Sequence, residues 1–589
     1  MTLMKDAMSS RNGEVVKATP AYRHRHAKTT SVVNTFEKAG DLMHIDWTRI
    51  TPHMIEEYSK NGLWKETTSN EVFEEHARRS PERTALVDVR GRLTYSEYFA
   101  AVQRLATRFL SMRLGSDDVI AIQLPNWSEC SIAINAAMLA GIPFCQFHSD
   151  FRSKEVEFIL SFTGASAYVH PVSFRGFDYG PMIDEMRLRL PNLRHLMTVG
   201  DAAQPDRFDV RAFLADPSQP LDEALLRAHR PRGNDLCRVA FTSGTTGDPK
   251  AVMHTYNTSL SCCSISNRNQ LVDADSALLV FLPVGLNWGY MLTMGAIIAG
   301  CKAVYMERWD TEEALRLIER EKITHFCSAP ASIIALLDHP KRKHYDLNSL
   351  KVYVTGGASC PIDVIHCAQR DLPGRLLEMY GMLETGSQAQ TMIGDDPEHV
   401  VGTVGHPVPE VPLRILDDEE RDVPIGTVGE IATVGPSVMV GYFNNPSANQ
   451  RAFTKDDWFK TGDLGVLSED GLLKIVGRKK EMIIRGGANI YPREIEEVLF
   501  THPSVADCAV IGVPHPRLGE TVVACVVQRP ATEPFTFEMM LGFLRDKIAT
   551  YKLPERLALV EVLPRTPTGK VQKGRLVERV NPGEEATHV

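Results

Sequence analysis

Short apolar runs that indicate β-strands alternate with longer amphipathic runs along most of this chain, and this alternation restricts the fold most strongly. Between about residues 70 and 380 the strand-like runs include TALVDV, DVIAIQL, AYVHP, HLMTVG, CRVAFTSG, CKAVYM, THFCSAP and KVYVTGG. Strands separated by helical stretches predict parallel sheets with crossover helices. So many strands require two such layers. We therefore predict an α/β fold whose large N-terminal domain contains stacked, parallel-rich sheets with crossover helices.

Two segments carry clear helix signals. In TYSEYFAAVQRL, Thr94 and Glu97 have the spacing of a capping box, and an apolar stripe follows them. In PREIEEVLF, Pro492 suits a first helical turn, and Ile495 and Leu499 mark one apolar face. Both segments are predicted to be helices that pack on a sheet.

The pattern changes in the last third of the chain. After Val411, LRILDDEERDVPIGTVGEIAT predicts a β-rich section with hairpins, and beyond Gly477 the runs EMIIR, PREIEEVLF, DCAVIGV and TVVACVV predict a small α+β unit. A chain of 589 residues is too long for one hydrophobic core. We predict a disordered tail at 1–45, a large domain at 46–476 and a small mobile domain at 477–589.

Composition excludes several classes of protein. A net charge of −9 and a pI near 6.1 argue against binding nucleic acid through a general basic field. The eleven cysteines include no CxxC pair, which predicts reduced, packed thiols and a cytoplasmic protein. The basic N-terminal residues would allow a targeting peptide, but the acidic residues among them and the absence of apolar periodicity favour a disordered tail, and no signal peptide is expected.

One uncharged segment resembles a membrane span but is interrupted in its middle. No charged residue lies between Asp275 and Lys302, yet Pro283, Gly285 and Gly289 break the apolar run. A buried strand (SALLVFL), a loop and a buried helix (MLTMGAIIAG) account for it better. No integral membrane segment is therefore predicted.

The ten residues FTSGTTGDPK, from Phe241 to Lys250, have the composition of an anion-binding loop. Glycines allow close approach of the backbone, hydroxyls add donors beside the amides, and Lys250 adds a charge suited to phosphate. A solvated polar turn would have a similar composition. A helix is expected to begin in the following MHTYNTSLSCC. The candidate phosphate-binding residues are Thr242, Ser243, Gly244, Thr245, Thr246 and Gly247.

This loop does not match the GxxxxGK[ST] pattern. Asp248 and Pro249 separate Gly247 from Lys250, and Ala251 stands where that pattern has its magnesium-binding hydroxyl. A magnesium ligand must therefore come from a carboxylate elsewhere in the chain.

The stretch FTSGTTGDPKAVMHTY is similar to the phosphate-binding signature of the adenylate-forming superfamily, which includes acyl-CoA synthetases, aryl-acid ligases, carrier-loading adenylation domains and luciferases. The resemblance runs from about Asn70 to the C-terminus, and FRGFDYGPMIDEMRLRLPNL and QLPNWSEC look most like alicyclic and medium-chain acyl-CoA ligases. Five further segments match in the expected order: VTGGASCP, EMYGMLETG, WFKTGDLG, GRKKEMIIRGGANIYPREIEEVL and LPRTPTGKVQK.

The resemblance implies a reaction in two steps. A carboxylate attacks the α-phosphorus of ATP and pyrophosphate leaves, and the acyl-adenylate then reacts with a thiol. Charge compensation and in-line positioning are the main contributions of such a protein. ATP, Mg²⁺ and CoA are therefore the implied cofactors, with a small carboxylic acid as substrate. A separate carrier protein stays open as the acceptor.

The resemblance also assigns roles to residues. Lys570, Glu384 and Lys250 are the implied catalytic residues, with Glu384 as the magnesium ligand and Lys570 between the incoming carboxylate and the α-phosphate. Asp463 is expected to bind the ribose hydroxyls and Tyr380 to stack on adenine. The other implied nucleotide-binding residues are Gly357, Ala358, Ser359, Gly381, Thr385 and Arg478.

A movable small domain follows from the position of Lys570, which must reach a phosphate loop in the other domain. By resemblance, Lys480 lies at the hinge, and Gly486 and Gly487 let the thiol arm of CoA pass close to the backbone. An ordinary tight turn is the alternative for these glycines.

Two departures from the family pattern bear on activity and substrate. Leu383 replaces a usual Thr or Ser, so one hydroxyl contact to the phosphates is absent or comes from Thr385. The expected acyl pocket contains Asn287, Trp288 and Gly356, and its uncharged sequence disfavours a cationic substrate. Asn287 suits a polar handle for a ring hydroxyl, or equally a structural turn.

These observations predict an ATP-dependent acid–CoA ligase for a ring-bearing or medium-chain acid. A stand-alone adenylation enzyme that loads a carrier protein is the alternative within the same class. A nucleotide-binding sensor with weakened catalysis is the alternative from a different class.

Overall fold

The computed structural model describes residues 49–200, 206–242, 249–357, 360–530, 533–565 and 570–580. The predicted tail at 1–45 lies outside these residues. So do Ser243, Gly244, Thr245, Thr246 and Gly247 of the predicted phosphate loop, together with Ala358 and Ser359.

The helices follow one another along the chain as short and medium-length segments. Short 3₁₀ turns occur at Arg342–His344, Lys479–Glu481 and Thr550–Lys552. The α-helices are α1 (Pro52–Lys60), α2 (Ser69–Arg79), α3 (Tyr95–Ser111), α4 (Ser128–Leu139), α5 (Ser153–Thr163), α6 (Tyr179–Arg187), α7 (Val210–Ala215), α8 (Glu223–Ala228), α9 (Tyr256–Asn269), α10 (Asn287–Ala299), α11 (Thr311–Glu321), α12 (Pro330–Asp338), α13 (Ile362–Asp371), α14 (Pro397–Val400), α15 (Pro446–Ala452), α16 (Pro492–Phe500), α17 (Phe537–Leu544) and α18 (Lys573–Arg579).

The strands are mostly short, and all the strand-like runs named above form strands. In chain order they are β1 (Thr84–Asp88), β2 (Gly91–Thr94), β3 (Ile120–Ile122), β4 (Phe144–Gln146), β5 (Ala167–Pro171), β6 (Ser173–Phe174), β7 (Phe177–Asp178), β8 (His195–Val199), β9 (Phe208–Asp209), β10 (Leu236–Phe241), β11 (Ala251–Thr255), β12 (Ala277–Val280), β13 (Lys302–Tyr305), β14 (His325–Ser328), β15 (Val352–Gly356), β16 (Arg375–Met382), β17 (Gly386–Gln390), β18 (His406–Pro407), β19 (Leu413–Leu416), β20 (Gly429–Thr433), β21 (Gly441–Tyr442), β22 (Phe459–Leu467), β23 (Leu473–Arg478), β24 (Ile483–Arg485), β25 (Ala488–Ile490), β26 (Val505–His515), β27 (Gly519–Gln528) and β28 (Arg556–Leu559).

Two large, parallel-rich sheets form the N-terminal part, as predicted. One has the order β18-β17-β16-β15-β14-β12-β13-β1-β2 and the other β21-β11-β10-β4-β3-β5-β8-β9. The main hydrophobic core lies between these sheets and includes Phe109 of α3, Ile122 of β3, Met294 of α10 and Leu377 of β16. A second core on the outer face of the nine-stranded sheet is built on α11 to α13. Both faces of that sheet are therefore covered, as parallel sheets require.

The β-rich section and the small domain also form as predicted. Strands β19, β20, β22 and β23 make an antiparallel sheet in that order, and β24 to β28 make a second small sheet. One face of this last sheet is covered by α16 and α17, through Ile495, Leu499 and Met540, and the other by Leu576 of α18. The small domain therefore has a core of its own. The exact borders of the domains stay a prediction.

The two helix signals read from the sequence, at Thr94 and at Pro492, are both confirmed by the structure. The hydroxyl of Thr94 accepts the backbone N–H of Glu97, and the Glu97 carboxylate accepts the N–H of Thr94, which completes the capping box of α3. Helix α16 begins at Pro492, as expected. All eleven cysteines are free, and all except Cys367 are buried.

The uncharged segment between Asp275 and Lys302 contains β12, a loop and α10, as predicted. Within the described ranges, no helix has both the length and the apolar character needed to cross a membrane.

Candidate active site

The predicted phosphate loop connects two antiparallel strands, β10 and β11, and not a strand and a helix. The helix predicted to begin within MHTYNTSLSCC is confirmed: Met253, His254 and Thr255 complete β11, and α9 begins at Tyr256. Thr242 and Lys250 close the base of the loop. The Thr242 N–H donates to the Lys250 carbonyl at 2.9 Å, and the Lys250 N–H donates to the Thr242 hydroxyl at 3.1 Å.

Glu384 is buried, and a tyrosine and a lysine, Tyr442 and Lys250, interact with its carboxylate. The Tyr442 hydroxyl donates to Oε1 of Glu384 at 3.1 Å. The Nζ atom of Lys250 lies 4.5 Å from the centroid of the Tyr442 ring, within the range of a cation–π contact. Burial raises the pKa of Glu384, while Tyr442, Lys250 and Lys570 act in the opposite direction.

The residue types around Glu384 suit a hard divalent cation that is shared with phosphates. One buried carboxylate with two lysines, Lys250 and Lys570, in its electrostatic range suits the way Mg²⁺ is held with nucleotides, by one or two carboxylates and phosphate oxygens. No group of three or more metal-ligating side chains occurs in the part of the chain that the structure describes. A cation at Glu384 would therefore need oxygen ligands from the nucleotide.

Asp463, on β22, is also buried and lies between a tyrosine and an arginine. The Tyr380 hydroxyl donates to Oδ2 of Asp463 at 2.8 Å, and Nε of Arg478 lies 3.4 Å from Oδ1. Burial raises the pKa of Asp463, and Arg478, Tyr380 and Lys570 oppose that rise. The β22–β23 register pairs Asp463 with Arg478 directly, which explains why two distant sequence motifs meet here.

Lys570 comes from the small domain and lies near the same carboxylates. Its removal from water lowers the pKa of its ammonium and Arg478 lowers it further, whereas Asp463 and Glu384 raise it. The opposing effects place Lys570 close to residues of both preceding clusters. Residues 566–569, just before it, lie outside the described residues.

The segment after Lys570 is anchored within the small domain. The Nζ atom of Lys573 lies 2.7 Å from Oε1 of Glu496, on α16, and 3.3 Å from Oε2 of Glu481 in the 3₁₀ turn. The two carboxylates raise the pKa of Lys573 against the effect of its burial. This half-buried triad anchors the start of α18, three residues after Lys570.

The glycines of the nucleotide-binding set lie where strands β15 and β16 end. Gly357 is exposed and has φ of +73°, a conformation that other residues rarely adopt. At Gly381 a Cβ would lie 2.3 Å from the Gly386 carbonyl oxygen, so the β16–β17 hairpin excludes a side chain there. The carboxyl ends of parallel strands are the usual position of ligand sites in such sheets.

The Thr385 hydroxyl is not at the surface of the cleft. It is fully buried, donates to the Gly386 carbonyl at 3.2 Å and accepts from the Gln388 amide at 2.8 Å. The suggestion that Thr385 supplies the hydroxyl missing at Leu383 is therefore not supported by its geometry. Leu383 itself packs against an apolar cluster that includes Val252 and Tyr442.

The acyl-pocket residues lie together at the start of α10. Trp288 is half-buried and packs over Gly356, where a Cβ would lie 3.1 Å from the ring. Asn287 is also half-buried, and its Oδ1 accepts from Nη2 of Arg238 at 2.8 Å. The expectation of an uncharged pocket was wrong, because the buried guanidinium of Arg238 lies directly behind Asn287.

The glycines predicted at the CoA passage form a two-residue hairpin turn between β24 and β25. Gly486 and Gly487 have φ of +57° and +86°, as tight hairpins of this type require. Lys480 is exposed in the neighbouring 3₁₀ turn. The turn conformation explains the glycines structurally, and the roles in CoA binding and at the hinge stay predictions.

Two residues were missed by sequence reasoning, Tyr442 and Arg238. Tyr442 follows Gly441 in a short strand far from the motifs that were weighed, and only the fold brings it to Glu384. Arg238 did leave a signal, because it is the one charged residue in the apolar strand LCRVAF. A charge on a strand buried on both faces indicates a specific partner or a functional site.

Comparison with known proteins agrees with this geometry. The model of the AMP-binding enzyme family matches residues 73–443, and that of the AMP-binding enzyme C-terminal domain matches residues 494–570. The chain is similar to the medium-chain fatty-acid–CoA ligase of Escherichia coli, with 31% identity over 88% of this chain and 91% of that protein. It is also similar to the 3-[(3aS,4S,7aS)-7a-methyl-1,5-dioxo-octahydro-1H-inden-4-yl]propanoyl:CoA ligase of Mycobacterium tuberculosis, with 35% identity over 85% and 96%.

A solved structure shares the fold over nearly its whole length. ATP-bound MatB from Rhodopseudomonas palustris superimposes with a TM-score of 0.78 at 25% identity, and the match covers 87% of this chain and 99% of that one. With two family models matched in order and relatives above 30% identity over most of both lengths, the chain belongs to the AMP-binding enzyme family of the adenylate-forming superfamily and is an AMP-forming acid–thiol ligase.

Proposed function

We propose that this protein activates a ring-bearing or medium-chain carboxylic acid with ATP and transfers the acyl group to CoA. The observation that carries the proposal is the position of Lys570. An ammonium from the small domain interacts electrostatically with Glu384 and Asp463 of the large part of the chain, and with Arg478 at the border between the two parts. Such a convergence is what an acid and a nucleotide need if they are to react between two domains.

In the first step, a carboxylate oxygen of the acid attacks the α-phosphorus of ATP, and the bond to pyrophosphate breaks. Lys570 would lie between the carboxylate and the α-phosphate and offset the negative charge that develops there. Lys250 would hold the departing phosphates together with the loop that begins at Thr242. The products of this step are an acyl-adenylate and pyrophosphate.

The nucleoside would be held by the second carboxylate cluster. Asp463 is suited to accept hydrogen bonds from both ribose hydroxyls, and Arg478 to contact the ribose or a phosphate. The Tyr380 ring would stack on adenine, while its hydroxyl fixes Asp463. Gly357 and Gly381 would allow the backbone to approach the nucleotide closely.

Glu384 would hold Mg²⁺ together with phosphate oxygens. A bound Mg²⁺ neutralises charge on the phosphates and orients them for in-line displacement. Tyr442 keeps the Glu384 carboxylate in place by donating to one of its oxygens.

In the second step, the thiol sulfur of CoA attacks the acyl carbon, AMP leaves and the thiol proton is released. Lys570 has no role in this step, so the small domain can turn about Lys480 and bring the turn at Gly486 and Gly487 to the thiol. We assign the conformation described here to the first step, because Glu384 and Asp463 both act electrostatically on the Lys570 ammonium.

The substrate class is supported by the relatives and by the pocket residues. One relative is named for medium-chain fatty acids and another for a propanoate with a fused ring system. The half-buried Trp288 and the apolar α10 offer a surface for a ring or an alkyl chain.

The test is ATP–pyrophosphate exchange across aryl, alicyclic and C4–C12 acids, followed by addition of CoA or of a carrier protein. We expect exchange with at least one ring-bearing or medium-chain acid, and thioester formation with CoA. Loading of a carrier protein with no reaction of CoA would favour the carrier-dependent alternative. Nucleotide binding without exchange for any acid would instead favour a sensor and contradict the proposal.

A further inference from the structure

Arg238 is a fully buried arginine whose charge has no counter-charge. It lies on β10 with 0% exposure, and among the described residues its side chain hydrogen-bonds only to Asn287, from Nη2 to Oδ1 at 2.8 Å. Its guanidinium also lies 4.1 Å from the centroid of the Tyr290 ring. Its Nε and Nη1 atoms have no hydrogen-bond partner within the part of the chain that the structure describes. Buried arginines without a carboxylate are costly, and a protein that keeps one usually uses it.

The groups packed around Arg238 are neutral. His254 is its cross-strand neighbour on β11, and burial together with Arg238 lowers the pKa of His254 to about 3. Burial raises the pKa values of Cys237, Cys262 and Cys263 above that of an ordinary thiol, so these residues are uncharged. No described neighbour therefore supplies the negative charge that a guanidinium favours.

Arg238 also fixes the orientation of the Asn287 amide. A guanidinium can only donate hydrogen bonds, so the atom of Asn287 that faces it must be Oδ1. The Nδ2 group of Asn287 then points away, and its described contact is a weak one, 3.4 Å from the sulfur of Met291. The pair consequently offers three groups of N–H donors and no acceptor.

The pair lies at the expected acyl pocket. Asn287 is half-buried at the first position of α10, next to Trp288, which packs over Gly356 at the carboxyl end of β15. Arg238 lies one layer deeper, behind Asn287. A substrate group that reaches Asn287 would therefore meet the Nδ2 donor of its amide, with the positive charge of Arg238 behind it.

We propose that Arg238 and Asn287 recognise a second oxygen acceptor on the acyl group, best satisfied by a second carboxylate. This inference rests on the proposed function and narrows its substrate class to acids with an oxygen-bearing distal end. The carboxylate that reacts with ATP stays at Lys570, while the distal oxygen accepts a hydrogen bond from Asn287 Nδ2, and the charge of Arg238 behind Asn287 favours an anionic acceptor. Charge-assisted bonds of this kind are among the strongest in proteins.

The test compares acids in matched pairs by ATP–pyrophosphate exchange. Each saturated monocarboxylate from C4 to C10 is measured against the dicarboxylate of the same length, and against its ω-hydroxy and ω-oxo forms. We expect kcat/KM for the preferred dicarboxylate to exceed that of its partner by about tenfold or more, and the hydroxy and oxo acids to fall between them. A preference for the plain acids at every length would overturn the inference.

The variant Arg238→Met should abolish this preference ratio, because it removes every donor of the guanidinium. Arg207→Met is the control, since the Arg207 side chain is only 3% exposed but pairs with Asp184 and lies next to β9, an edge strand of the same sheet away from β10. The control should retain the ratio. An unchanged ratio in Arg238→Met, with all rates reduced in proportion, would show that Arg238 is only structural.

Asn287→Asp is a second variant that keeps the arginine and does not depend on the folding of Arg238→Met. Its new carboxylate would pair with Arg238, so the dicarboxylate preference should be lost and the melting temperature should rise. Retention of the preference in this variant would contradict the inference. If the wild-type protein exchanges pyrophosphate with no acid at all, the proposed function fails first. If the protein exchanges pyrophosphate with monocarboxylates and shows no preference for dicarboxylates, the proposed function stands and only this inference fails.

Discussion

Replacing Tyr442 with phenylalanine isolates one hydrogen bond in the active site. The change removes the hydroxyl that donates to Glu384 at 3.1 Å and keeps the ring that Lys250 contacts. A hydrogen bond to a charged group contributes about 1.5–3 kcal/mol. Each 1.36 kcal/mol corresponds to a factor of ten in rate, so kcat/KM for adenylate formation should fall by about 10- to 100-fold.

The assay is pyrophosphate exchange at a series of magnesium concentrations. Because Tyr442 is argued to hold a cation ligand in place, Tyr442→Phe should also need more magnesium for half-maximal exchange. Tyr353→Phe is the matched control, since the Tyr353 hydroxyl is buried and donates to the Ala368 carbonyl at 3.1 Å, away from the cleft. Wild-type rates and magnesium dependence in Tyr442→Phe, or an equal loss in the control, would refute the reasoning.

Three further variants test other parts of the structure. Burial raises the pKa of Glu378 to about 8 from an ordinary 4.5, so folding binds a proton between these values and wild-type stability falls as pH rises through that window. Glu378→Gln should therefore be more stable relative to wild type at pH 9 than at pH 6 in thermal melts, and parallel pH profiles would contradict this. Leu383→Thr should lower the melting temperature, because Leu383 packs in an apolar cluster, yet leave exchange unchanged or faster; a large drop in exchange would mean that the motif is misaligned. Gly487→Ala, at φ of +86°, should slow thioester formation more than exchange, and equal effects would argue against a role near the thiol.

The sequence predicted the architecture well because strands and crossover helices leave strong periodic signals. The capping box at Thr94, the start of α16 at Pro492 and about half of the strands in the two large sheets were found from residue pattern alone. The helix after the phosphate loop was also predicted in the right segment, and only its first residue, Tyr256, was left open. Met253 to Thr255 can extend a strand as well as begin a helix, and pairing with β10 decides between the two.

The site residues that lie in sequence motifs were predicted, whereas those that only the fold brings to the site were missed. Glu384, Asp463 and Lys570 lie in motifs, and the structure brings them close together. Tyr442 reaches Glu384 only because β21 pairs with β11 at the edge of a sheet, a contact that no local pattern encodes. The positive charge next to Asn287 was missed for a similar reason, because it belongs to Arg238, 49 positions away in sequence.

The central claim is that Lys570 serves the first step alone, and measuring both half-reactions of Lys570→Ala tests it most directly. The account predicts that this variant loses ATP–pyrophosphate exchange yet converts a supplied acyl-adenylate and CoA to thioester at close to the wild-type rate. Equal loss of both reactions, or exchange that survives without the lysine, would contradict it.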